Sequence, residues 1–405
     1  MSISIKRLTG PATLTWARLI AGIGLLLFAG VAAADYAMNF PTPVTPTAKE
    51  IYNLQNIILV ICAVIFVVVF GFMFYSIIMH RKSRGYKPAQ FHESTTVEII
   101  WTAIPFLILV GMAIPSTATL LKMEDTSKAA LTVRITGFQW KWQYEYPDQG
   151  ISFYSNLSTP TPEIENQAPK DKHYLLEVDH PLVLPIGEKV RFLITADDVI
   201  HSWWVPAFGV KTDAIPGFIN ESWAKIDVPG TYRGQCAELC GKDHGFMPIV
   251  VKAVSQEDFV KWVSDQKAQM VASADDTSKI WTKSELLAQG EKVFTANCAA
   301  CHQATGTGMP GTFPPLAGGK TFSASAELMQ NLRERGFLTK NNRIQMGPVK
   351  NHLDIVMNGI PGTAMQAFGK QLSDSDIAAV ITYERNSFGN HTGDLIQPSQ
   401  VKALR

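Results

Sequence analysis

Two long runs without a charged residue constrain this chain most: "NIILVICAVIFVVVFGFMFYSIIM" (56–79) and "IIWTAIPFLILVGMAIPSTATLL" (99–121). A bilayer core takes roughly 20 apolar residues as a helix. A lone lipid-facing segment has to be helical, because only a helix satisfies its own backbone groups there. Pro105 and Pro115 in the second run are tolerated in such a helix. The short connection carries Arg81, Lys82, Arg84 and Lys87, and loops rich in Lys and Arg stay cytoplasmic. The expectation is a transmembrane helical hairpin over 50–125 with its turn inside. Everything after about 122 then lies outside, in the periplasm if the cell is bacterial. Upstream, Lys6, Arg7 and Arg18 precede an apolar stretch (19–33) with an Ala-x-Ala end. That pattern predicts a cleaved signal peptide over 1–34. Cys62, inside the first span, reads as a small apolar filler.

The remaining chain divides in two. The 405 residues suit two or three units. A net charge of +1 and the lack of a basic block exclude nucleic acid as an expected partner. From 131 to about 253, stretches such as "LTVRITGFQWKWQYEY" alternate and are rich in β-branched and aromatic residues. Short strands broken by Pro and Gly predict an antiparallel β-sandwich. A helix follows over 255–267, capped by Ser255. The units are bounded as a sandwich domain at 128–268, a small polar linker at 269–283, a helical domain at 284–390 and a tail at 391–405. "TKSELLAQGEKVFTANCAACH" and "SDSDIAAVITYERNSF" are the clearest helices of the last domain.

Cys298-Ala-Ala-Cys301-His302 has the spacing of c-type haem attachment. The two thiols reach the vinyl groups of one haem, and His302 lies beneath the iron as an axial ligand. No second CxxC completes a zinc quartet, and no βαβ pattern surrounds the motif as a thioredoxin-like site requires. A methionine from downstream would be the other axial ligand and would raise the iron's potential relative to histidine. The candidates are Met309, Met329, Met346, Met357 and Met365. Met365, in a loop after "GIPGTA" and shortly before a helix, suits the far face best.

The other cysteine pair sits in "GQCAELCGKDHGFMPI" (234–249). A disulfide between Cys236 and Cys240 leaves His244 and Met247 without a reason, and thioether is a poor zinc ligand. Thiolate, imidazole and thioether together select copper, and a one-copper blue site uses a single Cys, two His and a weak Met. His201 is the upstream histidine, so the sandwich is expected to be cupredoxin-like. The second thiol changes the count. Two thiolates bridging two coppers would hold a metal pair, with His201 and His244 one on each. Met247 and the backbone carbonyl of Glu238 would be the weak contacts. A disulfide and other metals stay open as alternatives.

This constellation resembles subunit II of the haem–copper cytochrome c oxidases. "VEIIWTAIP", "GFQWKWQYEY", "VIHSWWVPAFGVKTDAIPG" and "GQCAELCGKDHGFMPI" all match that family's signatures. The fused C-terminal part, with "MNGIPGTAMQAFGKQLSDSDIAAVITYERNSFGN", resembles the class I cytochrome c domain of caa-type members. The fold class expected is thus multidomain: a two-helix transmembrane hairpin, a cupredoxin-like antiparallel β-sandwich, and an all-α class I cytochrome c domain.

The resemblance implies a binuclear copper centre, CuA, on His201, Cys236, Glu238 (carbonyl), Cys240, His244 and Met247. It implies a magnesium ion shared with subunit I through the Glu238 side chain. It implies one covalent haem c on Cys298 and Cys301, with His302 and Met365 axial. Trp140 becomes the aromatic through which electrons enter. Glu98, by spacing alone a helix-start acid, becomes the carboxylate at the mouth of a proton path into subunit I. The chain departs from the family's pattern at Gln366, where many members place Pro, and at Lys141, where mitochondrial relatives place Tyr.

The function expected is that of an electron-accepting subunit of a proton-pumping terminal oxidase in the bacterial inner (cytoplasmic) membrane. Electrons would pass from cytochrome c or a bc complex through haem c and CuA to haem a in subunit I, which also holds copper B. Subunit III and the lipid bilayer are further expected partners, and the dioxygen-reducing centre lies in another chain. The alternatives are a free-standing membrane-tethered electron carrier and a copper-trafficking module.

Overall fold

The computed structural model describes residues 39–87, 92–272 and 277–405, so the 1–34 segment lies outside the described residues. Helix α1 (Pro46–Met79) opens with Thr45, whose hydroxyl accepts from the Ala48 amide, and with Pro at its first position. Proline suits that position because its missing N–H has no helical partner to lose. Helix α2 (Thr95–Glu124) continues through Pro105 and Pro115. Both are long and apolar enough to cross a membrane, and Val67, Phe72, Ile114 and Leu109 are exposed along their length. Lys122 and Thr119 of α2 meet Glu50 of α1 at 2.7 and 3.3 Å. The hairpin is seated on the next domain by backbone bonds from Val44 to the Ala207 carbonyl and from Asp227 to the Val44 carbonyl.

Ten strands follow: β1 (Leu131–Phe138), β2 (Lys141–Tyr146), β3 (Ile151–Ser155), β4 (Leu182–Pro185), β5 (Lys189–Ala196), β6 (His201–Val205), β7 (Val210–Ala214), β8 (Asn220–Lys225), β9 (Gly230–Cys236) and β10 (Pro248–Val254). They form two five-stranded sheets, ordered β3-β2-β1-β5-β8 and β4-β10-β9-β6-β7. The sandwich is antiparallel except where β1 meets β5 and β10 meets β4. These two parallel pairs join strands distant in sequence, which no short turn can connect. The apolar alternation does what period two requires: Val190, Phe192 and Ile194 of β5 all point inward and are fully buried. The stretch 131–146 is split by a two-residue turn at Gln139-Trp140, so Trp140 sits at a hairpin tip rather than within a strand.

Helix α3 (Gln256–Ala272) is capped by Ser255, which accepts from the Asp258 amide at 3.1 Å. Its Phe259 and Trp262 cover Tyr146 at the end of the sandwich. The last domain holds α4 (Lys283–Asn297), α5 (Ala326–Glu334), α6 (Val349–Asn358) and α7 (Asp374–Asn386), with single helical turns at 299–302 and 398–402. A Thr282/Glu285 capping box starts α4 and Ser373 caps α7. The 391–405 segment packs onto this domain: Ile396 and Val401 are buried in its core, and the Ile396 amide donates to Thr382 Oγ1.

Helices α4 and α7 cross at Gly290, where a Cβ would lie 2.2 Å from the Ala379 carbonyl oxygen. Backbone cannot step aside as a flexible side chain can. Gly290→Ala is therefore expected to cost about 2–3 kcal/mol through overpacking, seen as a lowered Tm for the helical domain by circular dichroism. An unchanged Tm would show that this crossing is not close-packed.

Candidate metal centres and the face they share

Strand pairing assembles the first cluster. Trp203 of β6 pairs with Cys236 of β9, which brings His201, at the head of β6, beside Cys236. The chain then loops out and back, and the Cys236 amide donates to the Met247 carbonyl. Within this loop the Cys236 and Cys240 sulfurs lie 3.8 Å apart as free thiols. His201 Nδ1 is 4.0 Å from the Cys236 sulfur, and His244 Nδ1 is 3.5 Å from that of Cys240. Met247 Sδ is 3.5 Å from the Cys240 sulfur, and the Glu238 carbonyl oxygen is 3.4 Å from that of Cys236. All six residues expected from the sequence thus meet.

His201, Cys236, Cys240 and Met247 are buried, while the Glu238 side chain is exposed. Asp198 Oδ1 sits 2.9 Å from His201 Nε2, which leaves Nδ1 to face the sulfur. Burial opposes the charged form of His201, but the bonds to Asp198 and Cys236 outweigh it and raise its pKa. The two thiols cannot both ionise freely. The hydrogen bond from Cys240 pulls Cys236 below the usual thiol range, and the same bond pushes Cys240 above it. A convergent set of two sulfurs, two imidazoles, a thioether and a carbonyl, four of its six residues buried, fits copper better than zinc or a disulfide.

The second site is a cavity of about 1150 Å³ where the helical domain meets the sandwich, walled on the helical side by Cys298, Cys301 and His302. That is at the large end for a cofactor site. His302 Nδ1 is 2.9 Å from the Pro314 carbonyl, leaving Nε2 free, and desolvation keeps its imidazole below its ordinary pKa. The Pro314 contact is the backbone partner expected of a ligating histidine. Of the five methionines, Met346 and Met365 line the cavity. Met357 and Met329 are instead buried in apolar clusters. One further pair had no signal in the sequence: His352 Nε2 lies 2.9 Å from Glu384 Oε2, both are buried, and both line the cavity. His352 Nδ1 has no partner among the described residues. A large cavity with two thiols, a prepared imidazole and an orphaned polar nitrogen fits a covalently held haem.

Both centres open onto one face. Trp140 Nε1 and Gln139 Nε2 both donate to the Cys240 carbonyl, at 3.2 and 2.8 Å. Gln139, Trp140 and Lys141 also line the cavity. Hydrogen bonds cross between the domains from Lys141 Nζ to Asn297 Oδ1 at 3.1 Å, from Lys242 Nζ to the Ala300 carbonyl at 3.0 Å, and from Gln366 Nε2 to the Gln139 carbonyl at 2.9 Å. Desolvation pulls the Lys141 ammonium down to about 8. Glu98 is elsewhere, exposed in the first turn of α2, and its carbonyl accepts from Thr102 Oγ1.

Fold and sites define a membrane-anchored cupredoxin carrying a c-type cytochrome domain. The profile described as "Cytochrome C oxidase subunit II, periplasmic domain" matches residues 131–254, and its transmembrane counterpart matches 33–119. "Cytochrome C oxidase, cbb3-type, subunit III" matches 285–383. The "Probable cytochrome c oxidase subunit 2" of Rickettsia bellii (strain RML369-C) is 41% identical over 263 residues, covering 64% of this chain and 95% of that protein. The "Cytochrome c oxidase subunit 2" of Cereibacter sphaeroides is 38% identical over 242 residues, covering 56% and 80%. The crystal structure of the periplasmic domain of subunit II of the Bradyrhizobium japonicum cytochrome oxidase is 43% identical, with a TM-score of 0.32 over 36% of this chain and 98% of that one. The chain belongs to the cytochrome c oxidase subunit II family and carries an additional C-terminal cytochrome c domain. It is a component of an oxidoreductase complex. The family implies CuA copper and the extra domain implies haem c. Membership in the complex implies subunit I as a partner.

Asp198 is a residue that motif spacing could not single out. Removing the group that orients a metal-ligating histidine typically costs 10- to 100-fold in affinity. Asp198→Ala is expected to weaken copper binding by roughly that factor, measured by chelator competition. Unchanged affinity would mean that Asp198 does not orient His201.

Proposed function

We propose that this chain is the electron-accepting subunit of a proton-pumping terminal cytochrome c oxidase in the bacterial inner membrane. In this reading electrons from cytochrome c or a bc complex pass through haem c and binuclear CuA to haem a in subunit I. The observation that carries the reading is Trp140. Its indole lines the cavity of Cys298, Cys301 and His302 and donates a hydrogen bond to the carbonyl of Cys240 in the thiol cluster. One side chain thus touches both sites. A free-standing carrier has less support, because it leaves unexplained the exposed Leu239 (78%) and Ile200 (45%) beside the copper cluster. Exposed apolar side chains there suit an interface.

Cys236 and Cys240 would bridge two coppers, with His201 on the Cys236 side and His244 on the Cys240 side. Met247 and the Glu238 carbonyl would be the weak contacts. The bound metals supply a one-electron centre whose charge is spread over two ions and two sulfurs. With every donor provided by the chain, no position is left open for a substrate, which suits electron transfer rather than substrate chemistry. His302 would be the proximal iron ligand, held by Pro314, and Met365 the distal one. The exposed Glu238 carboxylate would help hold a magnesium shared with subunit I. Glu98 would sit at the cytoplasmic mouth of a proton path. Subunit III and the surrounding bilayer complete the set of partners. Residues 1–34 would be removed as a signal peptide.

Two measurements test this. Electron paramagnetic resonance of the purified chain should show hyperfine splitting from one electron shared by two equivalent coppers, and Cys240→Ser should abolish that pattern. A single-copper spectrum in the unaltered chain would sink the binuclear assignment. Met365→His should lower the haem's reduction potential, since methionine ligation raises it, while Met346→Leu should leave it in place. The reverse pattern would move the ligand to Met346.

A further inference from the structure

The contacts between the two exported domains are too specific to be a passing touch. Lys141 is a lysine with only 5% exposure, and burying an ammonium is costly unless something compensates it. Its ammonium reaches out of the cupredoxin domain to Asn297 Oδ1, one residue before the first haem-binding cysteine. Around it lie the ring of Tyr154, from its own sandwich, at 4.8 Å and that of Phe368, from the cytochrome domain, at 5.2 Å. A cation near two aromatic faces gains electrostatically where it has lost water. Two bonds flank this contact. Gln366, next to Met365, donates across the interface to the carbonyl of Gln139, next to Trp140. Lys242, within the thiol loop, donates to the carbonyl of Ala300, between the two haem-binding cysteines. Each bond therefore ties a residue beside one centre to a residue beside the other.

We propose that Lys141, Gln366 and Lys242 form an interdomain latch that holds the fused cytochrome domain over Trp140 and closes this face of the copper domain to any free donor protein. The latch rests on the reading of the two centres as haem c and CuA for its purpose, but not for its existence. Because both domains belong to one chain, an undocked cytochrome domain stays at high effective concentration near the face it leaves. A few contacts suffice to decide between docked and undocked. These residues act by positioning. None of them is proposed to carry the electron.

The experiment uses the full chain with metals bound. Lys141→Ala with Lys242→Ala alters only the copper-domain side, and Gln366→Ala alters only the cytochrome side. Hydrogen exchange with mass spectrometry reads the interface without reference to either cofactor. The peptides containing 139–141 and 297–301 are expected to exchange at least tenfold faster in both variants. Haem-to-copper electron transfer, followed after rapid photoreduction, is expected to slow at least tenfold. The haem absorption and copper resonance spectra should be those of the unaltered chain. Lys141→Arg, which keeps the cation between the rings, should recover most of the protection. Unchanged exchange in both variants would overturn the latch. Accelerated exchange with an unchanged transfer rate would overturn its positioning role. Failure of the functional reading looks different: the unaltered chain would show no haem or copper signal while the exchange result still stood.

Discussion

One carbonyl oxygen ties the thiol loop to the hairpin that meets the cytochrome domain. The backbone oxygen of Cys240 accepts from Gln139 Nε2 and from Trp140 Nε1. That oxygen belongs to the loop that gathers the sulfur ligands, and its two donors sit at the tip of the β1–β2 hairpin. The hairpin tip in turn meets the cytochrome domain through Gln366 and Lys141. A buried carbonyl left unpaired costs more than its bonded form gains. Loop, hairpin and docked domain are therefore coupled through a group with few alternatives.

The buried polar groups divide according to how they are satisfied. Near the copper cluster, Asp198 and the two thiols pair with neighbours, and the cluster needs little beyond metal to be complete. In the cytochrome cavity, His352 Nε2 meets Glu384 Oε2, and the other imidazole nitrogen has no partner among the described residues. At the interface Lys141 makes its hydrogen bond to a neutral amide and lies over two rings, with Asp198 and Asp179 adding a weaker Coulombic attraction. Buried charges without partners are rare because desolvation is expensive. Where they occur, they point to places where the fold serves something besides its own stability.

Much of this was legible because membrane spans and covalent haem attachment leave local signatures. The two apolar runs appear as α1 and α2, each longer than its run, since a helix extends past the apolar stretch into capped ends such as Thr45. The capping boxes and serine caps of α3, α4 and α7 act within a few residues and could be read directly. Five of the six proposed copper donors could be proposed from the sequence because they lie within twelve residues. The sixth, His201, follows from the blue-copper pattern of a histidine on an upstream strand, since nothing local ties it to Cys236. The pairing of Trp203 with Cys236 does so across the sheet. The split at Gln139-Trp140 was not legible, because a tryptophan at a hairpin tip carries the same strand-like signal as one within a strand.

By itself, the sequence determined what is covalent or local. It set two bilayer-length helices, a cysteine pair spaced for a haem, and a second pair with copper-loving neighbours. It also set the caps that start the helices. The tertiary structure alone decided which methionines face the haem cavity, which carboxylate orients His201, and that Trp140 stands between both sites. It decided, too, that Lys141 is a buried interdomain contact rather than a solvated strand residue. The reason is range. Spacing along the chain encodes interactions within a helical turn or a loop. Contacts such as Lys141 with Asn297, or His352 with Glu384, depend on how sheets and helices pack, and no short stretch of sequence contains that.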